Sequence, residues 1–321
     1  MRYLTCSPTQ AIGMIARSNI SNVQGQRLVA KGHRLTAYDA ERCTQAGITA
    51  VDVVITEPDE IDENSAAAHI ARTYVGSGIR VAAAHHGRAD MHALVDGVLR
   101  IDSSALHDAN ILPTQTMATL LDGVVVRAGE RVASVKILPF AVPRTDLPTT
   151  PRAVVRVLPF VRHRVGLLVV GAPATHERIA QSHLPPLGER LERLGATITA
   201  TRDTSLDHDH IVSALRLIAQ ECALIITLSE TSVMGIDESI PRGLVAAGGT
   251  VIRHGAPVEP GNMMLLGMIQ DVPFLAAPGC IRNRARNVVD LILPRLVADD
   301  VPTTQEIAAW AHGGLLRGND D

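Results

Sequence analysis

Along the second half of the chain, apolar positions alternate between a strand-like and a helix-like rhythm. Gly166–Gly171 (GLLVVG) is short and almost wholly apolar, the pattern of a strand buried on both faces. Leu187–Leu194 reads as a helix stopped by Gly195, a residue suited to the left-handed turn after a helix. Ala196–Thr201 is extended. Ile211–Cys222 sets Ile211, Leu215, Ile218 and Cys222 on one helical face. Ala223–Leu228 (ALIITL) is a second buried-type strand, Ser239–Ala247 a helix ending at Gly248-Gly249, and Thr250–Arg253 another strand. Met263–Met268 and Val272–Ala276 form a hairpin turning at Gln270-Asp271, and Asn283–Val297 is a closing helix. Strands alternating with helices of this length predict a three-layer α/β/α domain over 164–298, with a mostly parallel sheet covered on both faces.

The first half is less regular and predicts a mixed α+β region over 1–143. Arg27–Ala50 begins extended and turns helical near Thr36, closing at Gly47. Val51–Thr56 and Ile79–Ala84 are strands around an Ala-rich amphipathic helix, Glu60–Tyr74. Val98–Asp102 is a strand leading to a helix capped at Ser103 or Ser104. Residues 123–138 read as two strands joined at Ala128-Gly129-Glu130, a hairpin. Between the halves, Pro139, Pro143, Pro148, Pro151 and Pro159 crowd one stretch. Proline removes a backbone donor, so 144–163 is expected to be an extended connector with at most edge-strand pairing. The tail, 299–321, carries a short helix around Ile307–His312 and then a charged, poorly ordered end.

Composition narrows the function classes. Hydrophobic residues make up 46% of the 321 residues, enough for real cores, yet there are only three Phe, three Tyr and one Trp. Few aromatics argue against stacking platforms for single-stranded nucleic acid. Lys and Arg (30) nearly balance Asp and Glu (33), with no long basic run, which argues against generic nucleic-acid or membrane-surface binding. No stretch reaches the roughly 18–20 apolar residues needed to span a bilayer. The four cysteines are scattered and the N-terminus lacks a signal-peptide pattern, so the expectation is a cytoplasmic protein with reduced thiols.

In an open parallel sheet, ligands bind outside the carboxyl ends of the strands. Three loops qualify by position. Ser229, Glu230, Thr231 and Ser232 follow ALIITL; such hydroxyls and turn N–H groups cradle phosphate, and the same residues serve as ordinary helix caps. Glu230 would repel a phosphate. Gly235 and Asp237 come next, Asp237 suiting either Mg²⁺ or a helix dipole. The third loop holds Pro278, Gly279, Cys280 and Arg282; Arg282, Arg284 and Arg286 near a helix start oppose the dipole and suggest an anion to meet. His254-Gly255-Ala256-Pro257 is a further rim. Asp207-His208-Asp209-His210 looks like a metal set but sits where a first helical turn takes acids, capped at Thr204 or Ser205. His85, His86, His92 and His107 lack a closed metal-ligand spacing.

The order of these loops resembles the molybdopterin-binding domain shared by molybdopterin adenylyltransferases and molybdopterin molybdenumtransferases. Thr227 to Asp237 stands where that family has a Ser/Thr-Gly-Gly-Val-Ser-Val-Gly loop followed by an acid; Arg253–Pro257 and Ala277–Ile281 echo its two Pro-Gly loops, and Asp203 its acid after the second strand. Residues 1–143 are similar to the molybdenumtransferase partner region at Leu28–Thr36 and Gln45–Ile48. The resemblance implies a pterin-phosphate ligand, molybdopterin or molybdenum cofactor, held by Ser229, Glu230, Thr231, Ser232, Gly235, Asp237, Gly255, Pro257, Pro278, Gly279, Cys280 and Arg282. It implies Mg²⁺ at Asp237, with Asp237 and Asp203 as catalytic acids if molybdate is inserted here. It also implies a homo-oligomer with a nucleotidyltransferase or molybdoenzyme partner. The departures are chemical: Ser229-Glu230 replaces Gly-Gly, Met234 a later glycine, and the lysines of the Pro-Gly loop are missing. Lost glycines hinder close backbone approach to phosphate, which favours binding over turnover. A nucleotide pyrophosphatase like the competence-damage proteins, or a scaffold without its own ligand, are the alternatives.

Overall fold

The computed structural model describes residues 1–316; the charged end, 317–321, lies outside them. The chain divides into two units, one of 1–95, 99–122 and 126–157, the other of 96–98, 123–125 and 158 onward.

The C-terminal unit is α/β. Its elements are β1 (Arg164–Val170), α1 (His176–Arg193), β2 (Thr197–Thr204), α2 (His208–Ile218), β3 (Leu224–Ser229), α3 (Ser239–Ala246), β4 (Gly249–His254), β5 (Leu265–Ile269), β6 (Val272–Ala276), α4 (Val288–Val297) and α5 (Thr304–Ala309). The sheet order is β2-β1-β3-β6-β5-β4. The first four of these run parallel, and β5 lies antiparallel between β6 and β4. Period-two alternation sorts the side chains of β1: Val165, Leu167 and Val169 enter a core with Ile179, Leu187 and Leu191 of α1 and Ile292 of α4, while Leu168 and Val170 enter another with Leu215 of α2 and Leu244 of α3. Both faces are therefore covered, as the apolar strands require. Gly166 permits the close packing of α2, since a Cβ there would sit 2.7 Å from Cys222 Sγ and 2.8 Å from Ile218 Cγ1.

Several boundaries differ from the sequence reading, each for a physical reason. Helix α1 begins at His176 rather than Leu187, running through Pro185 and Pro186. Ile179 and His183 continue the four-residue spacing of Leu187 and Leu191, so burial on the sheet carries the helix past the prolines. The cap of α2 is Asp207, not Thr204 or Ser205; its carboxylate accepts from the Asp209 and His210 N–H groups. Helix α4 starts at Val288, where Asn287 and Asp290 form a capping box, and Gly279–Arg282 is a separate 3-10 turn. Arg282, Arg284 and Arg286 thus precede the helix and do not sit in its first turn against the dipole. The tail helix is Thr304–Ala309, set earlier by a Thr303–Glu306 capping box.

The N-terminal unit is built from small antiparallel sheets. Arg2–Cys6, Val51–Ile55 and Ile15–Ala16 form one, packed with helix Ala37–Gln45. A second holds Gln115–Thr119, Arg131–Ile137, Arg88–Ala93 and Ile79–Val81 in that order, with helix Glu63–Tyr74 against one face. The hairpin expected over 123–138 is not one: Val125–Val126 and Arg131–Ile137 belong to different sheets. The turn exists, with Gly129 at φ +87°, but its N–H donates to Ala93 and Ala93 N–H donates to Glu130, so the ladder is made with strand Arg88–Ala93. The helix capped at Ser103 or Ser104 in the sequence is capped by Asp102, and the helix drawn from Glu60 begins at Glu63 because Glu60–Asp62 pairs with Ala141–Pro143. In the proline-rich stretch, Ala141–Pro143 and Val155–Pro159 are edge strands.

Candidate functional site

In the sheet of the C-terminal unit, β1 and β3 are neighbours although the chain leaves β1 for β2 on one side and returns to β3 on the other. Such a reversal opens a crevice at the carboxyl ends of the two strands. Glu230 sits there: its N–H donates to the Val170 carbonyl, and its carboxylate accepts from Arg178 Nη2 at 2.6 Å. Arg178, on the first turn of α1, neutralises the charge that would otherwise repel a phosphate. No sequence pattern announces a pair 52 residues apart.

The loop after β3 reaches across the sheet edge. Ser229 hydroxyl donates to the Thr231 carbonyl, turning the chain immediately after the strand. Ser232 Oγ accepts from Gly279 N–H at 3.2 Å, which joins this loop to the one after β6. His254 Nε2, at the end of β4, donates to the Val233 carbonyl at 3.0 Å. Met234 N–H donates to Glu238 Oε1, closing the turn before α3. Gly255 follows β4 in the left-handed region, φ +77°, its carbonyl accepting from Arg253 Nε. The loops after β3 and β6 and the rim after β4 are therefore physically joined, even though β4 lies at the far edge of the sheet from β3.

The loop after β6 is held from below. Arg190, buried on α1, donates to both carboxylate oxygens of Asp290 and to the carbonyls of Ile281, Asn283 and Ala285. Inside this packing, burial pushes the Cys280 thiol up to about 11, so it stays protonated and is a poor nucleophile. His183 lies buried beneath, its pKa lowered first by burial and then by the Arg282 charge. Arg282 itself is exposed, Arg284 pairs with Glu189 on α1, and Pro278 is buried.

Asp237 is exposed in the turn before α3, and Asp203 is exposed on β2, the edge strand that β1 separates from β3. Among the described residues, no three His, Cys, Asp or Glu side chains gather to hold a metal ion.

No protein-family model and no curated protein matches the chain. Its neighbours among solved structures include molybdenum cofactor biosynthesis proteins. One from Pyrococcus furiosus aligns at 12% identity and TM-score 0.28, covering 94% of this chain and 65% of its own. A molybdopterin biosynthesis MoeA protein from Pyrococcus horikoshii aligns at 12% identity and TM-score 0.32, over 93% of this chain and 75% of its own. The molybdopterin biosynthesis enzyme MoaB of Thermus thermophilus aligns at 17% identity and TM-score 0.33, over 43% of this chain and 96% of its own. The chain thus spans 65% of the length of the Pyrococcus furiosus protein. At these values the likeness carries nothing about activity. Among the described residues, no helix is long and apolar enough to cross a membrane.

Proposed function

We propose that the C-terminal unit binds the phosphate of a molybdopterin-type pterin in molybdenum cofactor biosynthesis or maturation, as a carrier rather than as a molybdenumtransferase. The observation that supports this reading most is the linkage of the three loops through Ser232, Gly279 and His254 at the carboxyl edge of one sheet. Hydroxyls of Thr231 and Ser232 and the turn backbone would receive the phosphate; Arg178 would keep Glu230 from repelling it. The pterin, when bound, supplies whatever metal chemistry follows. The chain's own share is to bind and orient. A protonated Cys280, a lone Asp237 and an edge-strand Asp203 support binding over turnover.

Calorimetry of the whole protein with purified molybdopterin tests the proposal, together with fluorescence and mass spectrometry of the protein as purified for a retained pterin. Saturable binding is expected, weakened about tenfold by Ser232→Ala, as for loss of one well-placed hydrogen bond. Absence of saturable heat overturns the reading.

A further inference from the structure

The four-stranded sheet of the N-terminal unit covers only one of its faces with helix Glu63–Tyr74, burying Ala89, Met91, Met117 and Val135 there. The other face carries the alternate residues. Lys136 stands directly opposite Arg88 in the register, with Thr116 on its other side; the next rung sets Ser134 between Asp90 and Ala118. Like charges placed directly opposite on neighbouring strands repel one another, so a Lys–Arg rung costs stability unless something offsets it. Lys136 has a partial offset, with its ammonium donating to the His86 carbonyl and lying 4.0 Å from Glu63. Arg131 has a long contact to Asp90, 3.5 Å. Among the described residues the Arg88 guanidinium shows no hydrogen bond or ion pair, and its charge acts on the Asp90 carboxylate.

The shape follows from the same pattern. Edge strand Gln115–Thr119 offers only the short side chains of Thr116 and Ala118 to this face, while the next two strands offer the long cationic ones. The difference in length leaves a cavity of about 310 Å³, lined by Arg88, Arg131, Lys136, Thr116 and Ser134 among others. Three cations and several hydroxyls around a space of that size suit an anion with many acceptor oxygens. No aromatic side chain lines it, so there is no platform for a nucleobase. Asp90 stays ionised between the cations: burial would raise its pKa, but Ser134, Arg131 and Arg88 hold it below the usual carboxylate range. Asp90 and Glu63 together still leave one of the three cations in excess.

We propose that this open sheet face is a second binding site, for a phosphate-bearing small ligand carrying two or more charges, gripped by Arg88, Arg131 and Lys136. It is separate from the loops of the C-terminal unit and does not rest on the pterin reading. The arginines would engage phosphate oxygens by paired N–H donation, Lys136 as a point charge, and Thr116 and Ser134 by hydroxyl donation.

Calorimetry of the full chain at low salt, with inorganic pyrophosphate as probe and orthophosphate as the singly phosphorylated comparison, tests this. Pyrophosphate is expected to bind saturably and more tightly than orthophosphate. Arg88→Gln should weaken it about tenfold or more, the loss of a charged hydrogen-bond partner. Arg27→Gln, an exposed cation elsewhere in the unit, should leave it unchanged. A second readout separates a binding role from a merely structural one: without pyrophosphate, Arg88→Gln should melt close to the parent protein, since its loss relieves Lys136 and deprives Asp90 alike. The proposal is overturned by absence of saturable pyrophosphate heat, by equal weakening in Arg27→Gln, by loss confined to Ser232→Ala, or by a melting temperature of unliganded Arg88→Gln far below that of the parent protein.

Discussion

The two units treat a β-sheet in opposite ways. In the C-terminal unit both faces are buried, so polar chemistry has nowhere to go but the strand ends, where Ser232, Gly279 and His254 tie three loops together. In the N-terminal unit one face of the four-stranded sheet is left to water, and the face itself carries the charged groups. Parallel strands need crossover helices that cover both faces, whereas antiparallel strands joined by turns do not. Connectivity thus decides whether a site is made of loops or of a sheet surface.

The sharpest way to break this comparison is to empty the doubly covered core. Phe274, fully buried on β6, when changed to alanine should cost about 3–5 kcal/mol by chemical denaturation. Thr116→Val on the open N-terminal face should stay within about 0.5 kcal/mol. Equal costs would mean that the open face is not solvent-exposed in solution.

Next in size, Arg190→Ala removes one partner of a mostly buried ion pair and strands three loop carbonyls. A loss of about 3 kcal/mol is expected. Amide exchange in 279–287 should accelerate more than exchange in β1 or β3. Uniform acceleration would show that Arg190 supports the fold at large and not the loop.

The buried His183 supplies a pH signature. Burial holds its folded pKa below the usual imidazole value of 6.5, so the unfolded chain takes up a proton first as the pH falls. The stability it contributes is complete above pH 6.5 and is lost below it, at no more than about 1.4 kcal/mol per pH unit. His183→Gln should flatten the stability–pH curve in that window, as followed by urea unfolding between pH 7 and pH 5. An unchanged slope would place the titration elsewhere. Smallest of all, Ser232→Ala should cost about 1 kcal/mol, the hydrogen bond from Gly279.

Much of the C-terminal unit was legible beforehand. The runs GLLVVG and ALIITL became β1 and β3 within two residues at either end, because a buried strand has to be apolar on both faces. The hairpin of β5 and β6 turns at Gln270, φ +52°, as its polar turn residues suggested. The loops around Ser229, Gly255 and Gly279 could be located because they follow those strands. Less visible were the first turns of α1, masked by Pro185 and Pro186, and the true start of α4, which removed the dipole argument for the three arginines. The turn at Gly129 was recognised, but its strand partner was not, since a local turn does not say which distant strand will complete the ladder.

What the sequence determined by itself was therefore the alternation of apolar strands and amphipathic helices, and with it a parallel sheet whose strand ends face outward as loops. Periodicity is a local property and is written in neighbouring residues. What only the tertiary structure decided was pairing at a distance: Glu230 against Arg178, Arg190 beneath the loop after β6, and Lys136 across from Arg88. Each depends on register and on which elements become neighbours, and those follow from packing the whole chain.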